Sequence, residues 1–161
     1  AGSAIVEGIA LASQSDWGKI GVEVKLNLVD FNTLLDRHLT PGDYHVTFSG
    51  LGFSVDPHTS FFGWHSDNIQ LDDRGYAMGS NRARYKNAQV DALVDQARVI
   101  VDMDERKKLY WQAEELIVAD APANWIYVNL WTDLADKNLK GVVNVNGYGM
   151  SFDSEWYINT K

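Results

Sequence analysis

The sequence predicts an α/β domain in which a small mixed sheet is flanked by helices. Apolar and polar residues alternate over residues 22–28, which is the period of a strand. A short helical pattern over residues 30–39 and a second strand-like run over residues 44–48 follow. This order and this crossover length predict a parallel pair of strands with a right-handed connection. Two amphipathic helical patterns over residues 84–120 complete the prediction.

The helices at the start of the chain are predicted from apolar spacing and capping residues. A first helix is expected over residues 5–17, although Gly8 lowers its helix propensity. Asp30 is placed to cap the helix between the two strands, and Pro41-Gly42 predicts the turn that follows it.

Residues 84–120 predict a helical hairpin joined by a very short acidic turn. Asn87 is placed to cap the first helix and Asp102 the second, where Glu105 completes a capping box. Pro122 stops the second helix. The predicted buried stripe consists of Val90, Leu93, Val94, Ala97, Val101, Leu109, Ala113, Leu116 and Ile117.

The remaining segments predict one long loop and several short strands. Residues 50–83 contain no convincing regular element, and a loop of that length inside a compact domain is usually functional or mobile. The β-branched and aromatic run over residues 124–131 predicts a buried strand. Residues 132–136 and 139–145 predict short strands around a turn.

Composition excludes several classes of function. With 161 residues, 45% of them hydrophobic, the chain is most simply one domain. Its 14 basic residues against 22 acidic ones, without a basic cluster, argue against nucleic acid as a partner. No run approaches the ~18 apolar residues that a membrane span requires. The absence of cysteine excludes disulfides and thiolate metal sites.

The motifs of the hairpin carry a family resemblance. The pattern N-x-x-VDAL-x-x-x-AR, followed by D-x-x-x-RK-x-LY and a later APA, resembles the C-terminal part of family 5 extracellular solute-binding proteins. These proteins serve ABC importers and include dipeptide and oligopeptide binders. The upstream run that begins KIGVEV and contains GDY is similar to the same family, in the expected order and at the expected distance.

The resemblance implies a fold and a location. It implies that residues 1–161 form one lobe of a type II periplasmic-binding-protein-like fold, as the C-terminal part of a larger two-lobed protein. The tail over residues 141–161 would return to the other lobe. The whole protein would lie outside the cytoplasm, periplasmic or lipid-anchored at the outer face of the cell membrane. It would close around a peptide or similar solute and deliver it to a membrane permease. A lobe without its neighbours would expose an apolar edge, so we expect self-association of the isolated fragment.

The loop after the second predicted strand is the first candidate for ligand binding. Gly52, Phe53 and Ser54 follow that strand, where ligands collect in open α/β sheets. The resemblance implies that this loop lines the cleft between the lobes. Family members that bind peptides have an aspartate here that pairs with the ligand ammonium group, whereas this chain has Phe53-Ser54. Either Asp56 takes that role from a shifted position, or the protein does not hold a free amine in that way.

Trp64 and Asn81 are the other predicted ligand-binding residues. Exposed tryptophans stack on peptide side chains or sugar rings, although the aromatic residues of this loop could equally form a core beneath it. Phe61 and Phe62 are neighbours that cannot share one face, so we expect only one of them in the core. Asn81 matches a G-x-N-x-x-x-Y stretch that the family often has near the ligand backbone.

Two alternatives remain open at the level of sequence. One is a carbohydrate-binding receptor of the same fold, because a neutral serine serves a sugar as well as a blocked peptide. The other is a hydrolase that uses Asp56, His58 and His65. No metal site, cofactor or catalytic residue is predicted, because His65 and Asp67 form only an H-x-D pair and no zinc helix or nucleophile motif appears. The favoured interpretation is therefore a binding protein and not an enzyme.

Overall fold

The computed structural model describes residues 3–50, 52, 54, 56–128, 134–145, 149–151 and 156–158. The chain divides into two compact units, Ala1–Ala123 and Asn124–Lys161. The first unit is helical. The predicted assignment of residues 1–161 to one lobe of a larger protein stays a prediction.

The first unit begins with the predicted helix. Helix α1 spans Ala4–Lys19, and the Ser3 hydroxyl accepts a hydrogen bond from the Val6 amide at 3.4 Å as its N-cap. The predicted cap at Asp30 is also present, because its Oδ1 accepts from the Thr33 amide at 3.1 Å. Helix α2, Phe31–Thr33, continues directly into a π-helical segment, Leu34–Leu39.

The predicted parallel strand pair is not formed. Residues 22–28 and 44–48 lie outside any strand, and the strands in the described part of the chain form only antiparallel pairs. The reason is burial: parallel strands are stable where both faces are covered. Here Val22 is 46% exposed and Leu28 is 54% exposed. The α/β class therefore holds only in its coarse form, as a helix-rich chain with small sheets.

The predicted helical hairpin is confirmed and forms the core of the first unit. Helix α3 spans Pro57–Phe62, α4 spans Ala88–Val99 and α5 spans Met103–Asp120. Asn87 and Asp102 cap α4 and α5 through their side-chain oxygens, and Ala121 ends α5 in a left-handed conformation. The core cluster consists of Tyr85, Val90, Val94, Ala113 and Ile117, with Phe61, Trp64, Leu93 and Leu116 packed against it.

Two positions of the predicted stripe differ from the structure. Val101 follows α4 in the turn and is 93% exposed. Tyr110 is buried where Leu109 was expected, because its ring packs on Phe61 at a centroid distance of 4.7 Å. Of the two neighbouring phenylalanines, Phe61 is the one that packs against the core cluster. This agrees with the expectation that two adjacent residues cannot share one face.

The second unit contains short antiparallel strands. Strand β1, Leu139–Lys140, pairs with β4, Tyr157–Ile158, and β2, Val143–Val145, pairs with β3, Gly149–Ser151. Strands β1 and β2 agree with the short strands predicted over residues 139–145. The strand predicted over residues 132–136 is not formed at residues 134–136, and residues 132 and 133 lie outside the described part. The buried strand predicted over residues 124–131 is wrong for residues 124–128, where Trp125 and Val128 are exposed and no ladder forms; residues 129–131 lie outside the described part. Within the described ranges, no helix is long and apolar enough to cross a membrane.

Candidate functional site

The described residues of the predicted ligand loop are exposed and lead into α3. Gly52 and Ser54 are exposed, whereas Phe53 lies outside the described residues. An exposed glycine leaves the backbone open to close approach by another molecule. The segment therefore offers backbone and hydroxyl groups to solvent immediately before α3.

Asp56 joins this segment to two helices. Its Oδ1 accepts a hydrogen bond from the His58 amide at 2.8 Å, which caps α3. The same oxygen accepts from Arg106 Nη2 of α5 at 2.7 Å, so the two residues form an ion pair. The hydrogen bond from Arg106, and then the one from His58, lower the pKa of Asp56. We call this contact the Asp56–Arg106 pair.

Arg106 is held by more than its carboxylate partner. Its Nε donates to the Ala97 carbonyl of α4 at 3.0 Å, and Nη2 also reaches the Tyr110 hydroxyl at 3.3 Å. The guanidinium carbon lies 5.4 Å from the centroid of the Tyr110 ring. The Arg106 side chain is 15% exposed, whereas that of Asp56 is 52% exposed. Arg106 thus connects α3, α4 and α5.

An open groove of about 440 Å³ lies beside this pair, and we call it the α3–α5 groove. Three of its nine lining residues are aromatic and four are charged. The Phe61 and Tyr110 rings are tilted by 31° at a centroid distance of 4.7 Å, and Lys107 Nζ lies 4.7 Å from the centroid of the Trp111 ring. Aromatic walls with a few charged groups are typical of sites for small solutes. Its lining residues are Pro57, Phe61, Met103, Asp104, Arg106, Lys107, Tyr110, Trp111 and Glu114.

Trp64 lies against the core and not in this groove. Its ring is half-buried and meets the Tyr85 ring edge to face at a centroid distance of 6.3 Å. The predicted ligand contact of Trp64 stays a prediction. The structure adds that the same ring supports the core, so its removal affects folding as well as any binding.

Asn81 lies at the centre of a buried network, which we call the Asn68–Asn81 network. Asn81 is 1% exposed, and its Nδ2 donates to the carbonyls of His65 at 3.0 Å and Tyr85 at 2.9 Å. Its Oδ1 accepts from the Tyr85 amide at 3.1 Å. In this conformation both donors of the amide bind the protein's own backbone, so the predicted ligand contact would require the loop to open.

Asn68 holds the other side of the same loop. Its Nδ2 donates to the Phe62 carbonyl at 3.0 Å and to the Ser80 hydroxyl, and its Oδ1 accepts from the Ser80 amide at 3.3 Å. A Cβ atom at Gly79 would lie 1.8 Å from the Asn68 carbonyl oxygen, so only glycine fits there. The loop after α3 also contains a 3-10 helix, Ser66–Asn68, and a bridge between Leu71 and Ala77, so the prediction of no regular element over residues 50–83 is wrong at α3 and at this turn. Side-chain hydrogen bonds organise the rest of the loop.

The two histidines of the hydrolase alternative lie beside α3. Their rings flank Phe62 at centroid distances of 5.5 Å for His58 and 5.4 Å for His65. Burial, and then Arg98, lower the pKa of His58. His65 is 4% exposed, and its Nδ1 accepts from the Asp67 amide at 3.1 Å. No group of three or more metal-ligating residues occurs in the portion of the chain that the structure describes.

Sequence reasoning does not find Arg106, Tyr110 or Trp111 as candidate site residues. The sequence does contain a signal for them, because two cation–aromatic pairs occur at a spacing of four residues. The members of each pair, Arg106 with Tyr110 and Lys107 with Trp111, lie on the same face of the helix. The pairing of Arg106 with Asp56 spans 50 residues, and no local pattern reports such a contact.

Comparisons with known proteins place the chain among solute-binding proteins. It is 30% identical over 138 residues to the probable D,D-dipeptide-binding periplasmic protein DdpA of Escherichia coli K12, covering 85% of this chain and 25% of that protein. It is 31% identical over 127 residues to the oligopeptide-binding protein AppA of Bacillus subtilis 168, covering 78% and 22% respectively. No family model and no solved structure matches the chain.

A third relative is named for a different ligand. The probable deoxycholate-binding periplasmic protein YgiS of Escherichia coli K12 is 30% identical over 153 residues, covering 94% of this chain and 27% of that protein. The chain thus spans about a quarter of the length of these relatives. Over most of its own length it is a relative of the family 5 dipeptide- and oligopeptide-binding proteins, and the resemblance predicted from its motifs is confirmed. These relatives are named as binding proteins and not as enzymes, and two of the three are named as periplasmic, which agrees with the predicted extracytoplasmic location.

Proposed function

We propose that the protein that carries this chain is the solute-binding component of an ABC importer. It would bind a peptide or a similar small solute in a cleft between two lobes and deliver it to a membrane permease. The observation that carries this proposal is the similarity of most of the chain to proteins named for binding dipeptides and oligopeptides. Because the chain spans only part of those proteins, the cleft would be completed by residues outside it.

We place the solute at the exposed segment before α3 and at the adjoining α3–α5 groove. Gly52 and Ser54 offer an accessible backbone and a hydroxyl group, while Phe61 and Trp111 offer apolar faces. Phe53, Trp64 and Asn81 remain proposed ligand residues from the sequence. Half-exposed Asp56 lies between the segment and the groove, which supports its place at the edge of the site.

The solute class is proposed as peptide-like. Relatives of similar identity carry names for chemically different ligands, including peptides, deoxycholate and heme, so similarity at this level does not identify one compound. The oligosaccharide alternative has no support beyond the tryptophans and the neutral Ser54. The hydrolase alternative is weakened because Asp56 binds Arg106 and the His65 ring is almost fully buried.

Calorimetric titration of the intact protein tests the proposal. We expect saturable one-to-one binding of at least one short peptide, and loss of permease-dependent uptake of that peptide when the protein is absent. Peptide hydrolysis measured in parallel tests the enzyme alternative. Turnover, or the absence of binding to a full panel of di- and tripeptides with free and with acetylated amino termini, would contradict the proposed function.

A further inference from the structure

The Asp56–Arg106 pair bears on which solutes the proposed site accepts. Asp56 is the nearest carboxylate after the predicted ligand loop, and an unpaired carboxylate there would attract a ligand ammonium group. Its Oδ1 already accepts hydrogen bonds from Arg106 and from the α3 backbone. A second cation at Asp56 would lie within a few ångströms of the guanidinium and would be repelled by it. The pair as a whole carries no net charge.

Arg106 cannot leave this position without breaking other contacts. Its departure would remove a donor from the Ala97 carbonyl and from the Tyr110 hydroxyl, and would lift its charge off the Tyr110 ring. An arginine side chain also keeps its charge at every physiological pH. A ligand ammonium group therefore faces a fixed competitor that is already bound.

Beside the neutral pair, the groove has one further cation and two anions. Lys107 adds a cation near Arg106, over the Trp111 ring, and Asp104 and Glu114 supply the anions that line the same groove. The rest of the lining is apolar or aromatic and includes the faces of Phe61, Tyr110 and Trp111. These faces suit an apolar side chain of the solute, and at Asp56 itself the carboxylate charge is already neutralised by Arg106.

We propose that Arg106 is a specificity-determining residue that occupies Asp56 as an internal cation, so that the solute presents a neutral group to Asp56 in place of a free ammonium group. This inference rests on the proposed function and on the placement of the site beside α3. The solute class that fits is a peptide whose amine is blocked, or an amide or hydroxyl group at the corresponding point. Arg106 therefore supplies the positive charge that a free Asp56 carboxylate would otherwise take from the ligand ammonium group.

The test compares two probes, tri-alanine and N-acetyl-tri-alanine, by calorimetry on the intact protein. The wild type is expected to bind the acetylated peptide at least as tightly as the free one. Arg106→Gln frees Asp56 to bind the ammonium group of tri-alanine. We expect the affinity ratio to shift about tenfold or more toward tri-alanine, because about one charge-assisted hydrogen bond is gained. The double variant Arg106→Gln with Asp56→Asn is expected to lose that shift. Arg74→Gln, which breaks the exposed ion pair of Arg74 with Asp72 outside the groove, is the matched control and should leave the ratio unchanged.

Several outcomes decide between this inference and the function on which it rests. A wild type that prefers tri-alanine tenfold or more, with the preference lost in Asp56→Asn, overturns the role of Arg106 and leaves peptide binding intact. If a folded Arg106→Gln variant has the same affinity ratio for the two peptides as the wild type, the role of Arg106 is likewise overturned and peptide binding is left intact. If neither peptide nor any of the di- and tripeptide panel binds, the proposed function fails and this inference fails with it. If Arg106→Gln does not fold, as judged by circular dichroism, the wild-type ratio and its change in Asp56→Asn decide the question.

Discussion

Two sets of polar contacts stabilise the region around α3, and they differ in burial, in charge and in the elements that they connect. The Asn68–Asn81 network is neutral and buried, and it ties one loop to its own backbone. The Asp56–Arg106 pair is charged and half-exposed on the carboxylate side, and it ties three helices together. A buried amide that loses its partners leaves unsatisfied groups, whereas an exposed ion pair contributes little to stability. Loss of the network should therefore destabilise the fold more than loss of the pair, which agrees with the proposed role of the pair in ligand selection.

The largest expected effect is at Gly79, inside the network. Gly79→Ala places a Cβ atom 1.8 Å from the Asn68 carbonyl oxygen, so the loop must move. We expect the free energy of unfolding to fall by about 3 kcal/mol, as measured by urea denaturation. Gly8→Ala in α1 is the control, because nothing lies within 4 Å of its added Cβ atom. It should instead raise stability by about 0.5–1 kcal/mol, and equal effects at both positions would contradict the packing described here.

Asn81→Ala removes the centre of the network without a clash. Two backbone carbonyls and one amide lose their partner in a region where Asn81 itself is 1% exposed. We expect a loss of about 2–3 kcal/mol in unfolding free energy, together with faster amide hydrogen exchange at Tyr85. A stable variant with weakened peptide binding would instead show that Asn81 contacts the ligand, as its sequence motif predicts.

Trp64 separates the structural and ligand-binding interpretations in a different way. Trp64→Ala removes part of the core packing beside Tyr85, for which we expect a loss of about 2 kcal/mol. Trp64→Phe keeps an aromatic ring and should recover most of the stability. If Trp64→Phe binds peptide tenfold more weakly while its melting temperature is close to the wild type, the tryptophan also contacts the solute. If its affinity is unchanged, the residue acts only through the core.

The Tyr85 hydroxyl, which donates to Asp120 Oδ2 of α5 at 2.6 Å, makes the stability of the fold depend on alkaline pH. Burial, and then the hydrogen bond to Asp120, raise the pKa of Tyr85 to about 12, from an ordinary value of 10.0. A group that holds its proton more tightly in the folded state stabilises that state below its unfolded pKa. The contribution is lost as the pH rises from about 10 to about 12. Denaturation at several pH values should show this loss in the wild type and not in Tyr85→Phe.

The smallest expected loss of stability is at the Asp56–Arg106 pair, whose carboxylate is half-exposed. Asp56→Asn keeps a good helix cap and removes only the ion pair with Arg106, so we expect a loss of about 0.5–1 kcal/mol. Hydrogen bonds from Arg106 and His58 lower the pKa of Asp56, so this contribution is present above the ordinary pKa of an aspartate. It disappears as the pH falls through the lowered value. An Asp56→Asn variant as unstable as Asn81→Ala would remove the distinction between the two contacts.

The sequence predicts local structure well and contacts between distant segments poorly. Caps at Asp30, Asn87 and Asp102 lie within a few residues of the amides they bind, so residue type and spacing identify them. The strand pattern over residues 22–28 is equally clear, yet a strand also needs a partner and covered faces, which local spacing does not supply. The pairing of Asp56 with Arg106 likewise depends on how α5 returns beside α3. The loop that looked irregular is held by Asn68 and Asn81, whose roles appear only once their partners are in place.

Hydrogen–deuterium exchange of the intact protein, with and without saturating tri-alanine or N-acetyl-tri-alanine, tests the central claim most directly. If the exposed segment and the α3–α5 groove hold the solute, amides over residues 52–64 and 104–111 should become protected. Amides over residues 66–85, in the Asn68–Asn81 network, should exchange as before because that network is complete without ligand. Protection confined to residues 66–85, with none over residues 52–64 or 104–111, would contradict this account.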